Sequence, residues 1–157
     1  MTIHAPGKQE EHNMNIWEFS AMIMHRLLAW AGFSLATGAA MLAQPDRFWR
    51  GVGAQFAGWA LVNAAIAAFG DRATARRQVS LPDPLSATAQ AEQRRSLKRL
   101  LWINTGLDVL YVLGGLALMR SAAPENRLRR GTGAGIQLQG AFLFFFDLVH
   151  ALLLGRK

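Results

Sequence analysis

Cysteine is absent from this chain, which excludes a disulfide framework, a thiolate metal site and a catalytic thiol. Proline is confined to positions 6, 45, 82, 84 and 124, and none of these falls inside the long apolar runs. Unbroken spans argue against the discontinuous helices on which alternating-access transporters rely. No H-E-x-x-H, G-x-S-x-G or clustered-histidine pattern occurs, so nothing points to metalloprotease or serine-hydrolase chemistry, and the chain reads as non-catalytic with no metal site. A secretory signal is also missing: the first 15 residues are polar and no small-residue cleavage site follows, so the first helix reads as retained. Charge is scarce as well, at 17% of residues, and it is segregated from the apolar stretches.

What the chain does have is four apolar runs, at 27–43, 52–69, 100–119 and 134–154. Each approaches the roughly 20 residues that a membrane-spanning helix needs. A soluble four-helix bundle would show a charged face on each helix, and these runs lack one. The expected fold is therefore an all-α, four-helix transmembrane bundle in a single domain, made of two tandem helical hairpins with an N-terminal interfacial segment. The net charge of +7 does not call for nucleic acid, because the basic residues lie almost wholly outside the runs, where orientation signals sit. On the side shared by the termini and the central 71–99 loop lie Lys8, Arg26, Arg72, Arg76, Arg77, Arg94, Arg95, Lys98, Arg99, Arg156 and Lys157, 11 of the 17. Arg47, Arg50, Arg120, Arg127, Arg129 and Arg130 lie on the other. That bias predicts cytoplasmic termini and a cytoplasmic basic loop.

Residues 1–13 are polar and read alone as disordered; if held in place, they imply a partner surface. Asn15 to Met24 is amphipathic, with Trp17 and Phe19 suited to the membrane interface. Asp83-Pro84 resembles an N-cap followed by proline at the first helical position, predicting a helix from about residue 84 through 119. Its basic cluster suits contact with anionic lipid. The second span opens GVGAQFAG at Gly51 and the fourth opens GAGIQLQG at Gly133, both G-x-G-x-Q-x-x-G, 82 residues apart. Gly51, Gln55, Gly58, Gly133, Gln137 and Gly140 are therefore expected to pack helices closely, in two parallel hairpins related by a twofold along the membrane normal. The same glycines mimic a nucleotide-binding fingerprint, but no strand precedes them and no βαβ unit surrounds them.

The last helix is apolar enough to span a bilayer, yet it carries Gln137, Gln139, Asp147 and His150. Arg26, Asn63, Asn104 and Asp108 fall in the same half of the membrane. A lone carboxylate at the bilayer centre costs about 2.5–3.5 kcal/mol on insertion scales, so both acids need partners. Arg26 is expected to bridge to Asp147 or Asp108, with the asparagines completing the network. As structure, this set fixes helix register. As function, Asp108, Asp147 and His150 would relay protons or bind an ion in a small carrier. Alternatively, His25 and His150 would ligate a haem or (bacterio)chlorophyll between helices.

At GAGIQLQGAFLFFFDLVHA and LWINTGLDVLYVLGG, with Asp147, His150 and the N-x-G-x-D of Asn104, Gly106 and Asp108, the chain resembles an uncharacterised family of small four-helix bacterial membrane proteins. The resemblance implies a multi-pass protein of the bacterial inner membrane and brings no activity with it. The leading functional reading is an accessory subunit of a larger membrane complex, energy-converting or photosynthetic. Its partners would be other membrane subunits and lipids, met through aromatic faces at Trp30, Trp59, Trp102, Phe142, Phe144, Phe145 and Phe146.

Overall fold

A computed structural model describes residues 14–155; the polar tail 1–13 and the last two residues, Arg156 and Lys157, lie outside them. Four helices follow one another: α1 (Ile16–Leu42), α2 (Arg47–Ser80), α3 (Ala87–Ser121) and α4 (Arg127–Gly155). All four are long and apolar enough to cross a membrane, and between 22% and 39% of each apolar window is buried inside the bundle. The remaining apolar surface faces outward, where a water-soluble bundle would place its charges.

Each helix starts where a side chain satisfies its free N–H groups. Asn15 caps α1 in a reciprocal box with Glu18, Asp46 accepts from the Phe48 N–H, and Asn126 accepts from the Arg129 N–H. The cap of α3 is Ser86, which accepts from the Ala89 N–H, so that helix begins at Ala87 rather than near residue 84. Asp83 instead shapes the preceding turn by accepting from the Leu85 N–H.

Two expectations for the end of the bundle that carries Ile16 and Gly155 change. The 71–99 connection, expected to be helical only from about residue 84, is helical in its first part as well: α2 runs on to Ser80, residues 81–86 connect, and α3 begins at Ala87. At 1.5 Å per residue, helices of 34 and 35 residues are about 50 Å long and outreach a hydrocarbon core of about 30 Å. The interfacial segment is likewise the first turns of α1 itself. Trp17 is buried, and its Nε1 donates to the Pro84 carbonyl at 2.8 Å, tying α1 to the α2–α3 connection rather than anchoring in lipid.

The hairpins α1–α2 and α3–α4 are packed alike, and they join each other through α2 and α4. A Cβ added to Gly53 would lie 2.7 Å from the Gly38 oxygen and 2.8 Å from the Leu42 nitrogen. One added to Gly133 would lie 2.7 Å from the Gly115 oxygen and 2.6 Å from the Met119 nitrogen. Between hairpins, Gly51 meets the Leu128 carbonyl, and reciprocally Gly131 meets the Phe48 carbonyl. These pairs fix the internal register: 80 residues separate α2 from α4 and 77 separate α1 from α3. The repeat is Asp46-Arg-Phe-Trp-Arg-Gly-Val-Gly-Ala54 against Asn126-Arg-Leu-Arg-Arg-Gly-Thr-Gly-Ala134, a shift of 80 rather than 82. Gly58 is exposed with nothing near its missing Cβ, so it is not a packing glycine. Gly51, Gly133 and Gly140 are, and Gln55 lies against Gly135.

Across the short-loop end, Arg127 makes a two-pronged ion pair with the Asp46 carboxylate and so clamps one hairpin to the other. The Arg127 guanidinium, helped by the Phe48 N–H, holds the Asp46 carboxyl below its ordinary value of 3.8. A carboxylate with a depressed folded pKa contributes stability that is present above the unfolded value and lost as pH falls through the folded one. Thermal midpoints of wild type and Asp46→Asn should therefore differ at pH 6 and converge as the pH drops below 3.8. The difference should be small, because the pair is solvent-exposed.

Candidate functional site

The 80/77 register shows how the polar residues are placed. Trp59 on α2 meets Tyr111 on α3 edge-to-face, ring centroids 4.9 Å apart. Their counterparts under the repeat are Gln139 on α4 and Ser34 on α1, which meet through a 3.2 Å hydrogen bond. Gln139 is fully buried and also accepts from Trp30 Nε1 at 3.1 Å. Trp30 in turn stacks on Phe142 at 3.5 Å, which fills the α1–α4 flank. On the α2–α3 flank the corresponding residues are Leu107 and Val62, half-exposed and too small to do the same. One flank of the bundle is sealed and the other is open.

Behind the open flank lies a cavity of ≈ 400 Å³, lined by Asn63 from α2, Asn104 and Asp108 from α3, and Asp147 from α4. Leu27, Leu143, Trp59 and Tyr111 complete its wall. Asn63, Asp108 and Asp147 are 1%, 4% and 7% exposed. The Asp108 and Asp147 carboxyl groups face each other across the α3–α4 interface, with Asn104 beside Asp147. Asn63 Nδ2 and Asp108 Oδ2 have no hydrogen-bond partner among the described residues. Val62 and Ile66, 46% and 49% exposed, form the lip with Leu107 and open the cavity sideways onto the outer apolar surface. Gly140, which packs on Tyr111 and the Asp108 backbone, lets α3 and α4 approach closely enough for the two acids to meet.

The sequence placed Asn63, Asn104, Asp108 and Asp147 together correctly, but not their cation. Arg26 does not bridge to either acid. Its guanidinium lies 3.2 Å from His150 Nε2, while His150 Nδ1 is 2.6 Å from the Phe146 carbonyl. Among the described residues the ion pairs are Arg77–Glu92 and Arg127–Asp46, both outside the cavity, so the two acids face each other without a positive partner. His150 is buried and both of its ring nitrogens have neighbours, whereas His25 is exposed. Gln137 is half-buried while Gln139 is the core glutamine. Gln137 does pack helices, its backbone nitrogen and Cα lying against Gly115 on α3. Of the aromatic set, Phe145 and Trp102 face outward, whereas Trp30, Trp59, Phe142 and Phe146 pack inside the bundle.

A model of a family of unknown function, DUF6992, matches residues 26–148. The chain belongs to that family, and the matched stretch contains all four polar residues of the cavity. No curated protein and no solved structure matches the chain.

Proposed function

We propose that this is a non-catalytic membrane protein that works as an accessory subunit of a larger membrane complex and contributes a laterally open, acidic pocket to it. One observation carries the reading. Each polar residue of the cavity has an apolar counterpart in the other half of the same bundle: Asn104 corresponds to Leu27, Asp108 to Ala31, Asn63 to Leu143 and Asp147 to Ala67. All four counterparts are buried. The bundle therefore packs these positions without polar groups, and two carboxyl groups facing each other in apolar surroundings are costly to keep. A cost retained without an architectural need marks a binding site rather than a register device.

The pocket opens beside the bundle, toward whatever lies against α2 and α3, which suits a guest shared with a neighbouring subunit. The facing carboxyls also favour a proton- or ion-binding role for Asp108 and Asp147, since such a pair is able to hold a shared proton or a small cation. Two features of the bundle weigh against a carrier, however. Its helices are continuous, and its short-loop end is locked by glycine-mediated backbone contacts. The basic bias supports cytoplasmic termini in a bacterial inner membrane, an orientation that would put the pocket in the inner half.

Extraction in a mild detergent, affinity capture and mass spectrometry of the co-purifying chains test the subunit reading. Partner subunits at fixed stoichiometry are expected. A protein that runs alone and monodisperse from its native membrane contradicts the reading.

A further inference from the structure

The basic segment of α3 carries Arg94, Arg95, Lys98 and Arg99, and one of the four is unlike the rest. Arg95, Lys98 and Arg99 are exposed, whereas Arg94 is half-buried and lines a groove of ≈ 250 Å³ between α1 and α4. Phe19 and Met22 from α1 and Leu153 and Leu154 from α4 form the wall, so the surroundings of the guanidinium are apolar. Arg94 belongs to neither ion pair among the described residues, and its Nη1 is buried without a partner. A cation held in this way is costly unless an anion meets it. Nη1 itself is shut off from any guest. Nε and Nη2 are not sealed in this way and make no hydrogen bond among the described residues, so that edge of the guanidinium stays reachable from the groove. Such an edge is a fork that takes two oxygens of one phosphate or carboxylate.

The height of the groove points to the source of the anion. Leu100 opens the apolar run of α3, and Arg94 precedes it by six residues, about 9 Å at 1.5 Å per residue. Leu154 closes the apolar run of α4. The groove thus straddles the edge of the hydrocarbon core, with its cation at the level of the lipid headgroups. Lys98, one turn along from Arg94, brings its Nζ to the end of α4, 3.5 Å from where a Cβ on Gly155 would lie. A lipid head with its own ammonium would meet that positive charge, and an anionic head would not. We propose that the groove binds one anionic phospholipid, its phosphate on the Arg94 guanidinium and one acyl chain entering the core along Phe19, Met22 and Leu153. This site is separate from the acidic cavity and stands independently of the reading given to it.

The test uses the full-length protein in a mild detergent, with dioleoyl phosphatidylglycerol as probe and dioleoyl phosphatidylcholine as its zwitterionic counterpart. Native mass spectrometry counts the bound lipid. Wild type should retain one phosphatidylglycerol and bind it roughly tenfold or more tightly than phosphatidylcholine. Arg94→Gln should weaken that binding roughly tenfold or more, as loss of a charge-assisted hydrogen bond does. Arg95→Gln removes the same charge from an exposed position and should leave the retained lipid in place. A further variant keeps the guanidinium: Leu153→Trp fills the groove, and it should lose the lipid while keeping its helicity. Equal effects of Arg94→Gln and Arg95→Gln would reveal a diffuse charge contact and overturn the site. So would equal retention of the two lipids, or displacement of phosphatidylglycerol by inorganic phosphate at the same concentration, which would make this a free-anion site. Lipid binding that appears only after residues 2–13 are deleted would assign the groove to the chain's own acidic tail and overturn the proposal too. If Arg94→Gln fails to fold, Leu153→Trp decides: a folded variant that still retains the lipid removes the groove as its seat.

Discussion

Gly131→Leu should leave no folded bundle, and even Gly131→Ala should be severe. A Cβ at Gly131 runs into the Phe48 carbonyl of α2, and a backbone atom has no rotamer by which to move aside. The helices must separate, and doing so opens the reciprocal contact at Gly51 with the Leu128 carbonyl and Thr132 nitrogen. Helix pairing in lipid relies on such close packing, since there is no hydrophobic drive to hold a loosened pair together. Alanine should cost about 1–3 kcal/mol, the usual range for overpacking, and leucine more than the 4–5 kcal/mol that marks loss of a fold-defining contact. Gly58→Leu is the control, because that glycine is exposed with nothing near it. Detergent-solubilised protein followed by circular dichroism during heating checks all three. Equal midpoints for Gly58→Leu and wild type, with a collapse for Gly131→Leu, is the expected pattern.

Most of the architecture was legible in the sequence for simple reasons. Span length, the scarcity of charge inside the runs and the turn residues at Pro45 and Pro124 are local signals that no tertiary contact overrides. The internal repeat was legible in kind but not in register. Matching Gln55 to Gln137 gave a shift of 82, whereas the contacts at Gly51, Gly53, Gly131 and Gly133 require 80. The stronger signal lay one turn earlier, in the connection. Asp46 and Asn126 both begin an [DN]-R-[FL]-x-R-G-x-G-A segment, which starts ahead of the apolar runs. The helical continuation of α2 to Ser80 was missed for a related reason: Arg72, Arg76 and Arg77 read as loop composition, yet arginine is a good helix former.

The site shows a sharper divide. Depth along each span was enough to gather Asn63, Asn104, Asp108 and Asp147, because a spanning helix fixes height at 1.5 Å per residue. Azimuth was not, because which face of α1 meets which face of α4 depends on the glycine contacts. Arg26 therefore reached His150 instead of an acid, and Gln139 rather than Gln137 entered the core. The open flank between α2 and α3 becomes readable only in the correct register, where Trp30 and Phe142 align with Leu107 and Val62.

The central claim is that the cavity's polar residues were added to a bundle that does not need them. Its strongest consequence is a variant built from the chain's own counterparts: Asn63→Leu, Asn104→Leu, Asp108→Ala and Asp147→Ala together. Each replacement is the buried residue that the other half of the bundle carries at the equivalent position. The two partnerless atoms disappear, and leaving such groups buried costs about 1–3 kcal/mol apiece. The smaller side chains at 108 and 147 return part of that gain as lost contacts. The most direct test is the thermal midpoint of this fourfold variant against wild type in the same detergent, with helicity measured on both. The account predicts unchanged helicity and a midpoint raised by roughly 5 °C, as removing functional but destabilising groups does. A variant that fails to insert, loses helicity or melts well below wild type would contradict it, and would make the polar set part of what holds the four helices together.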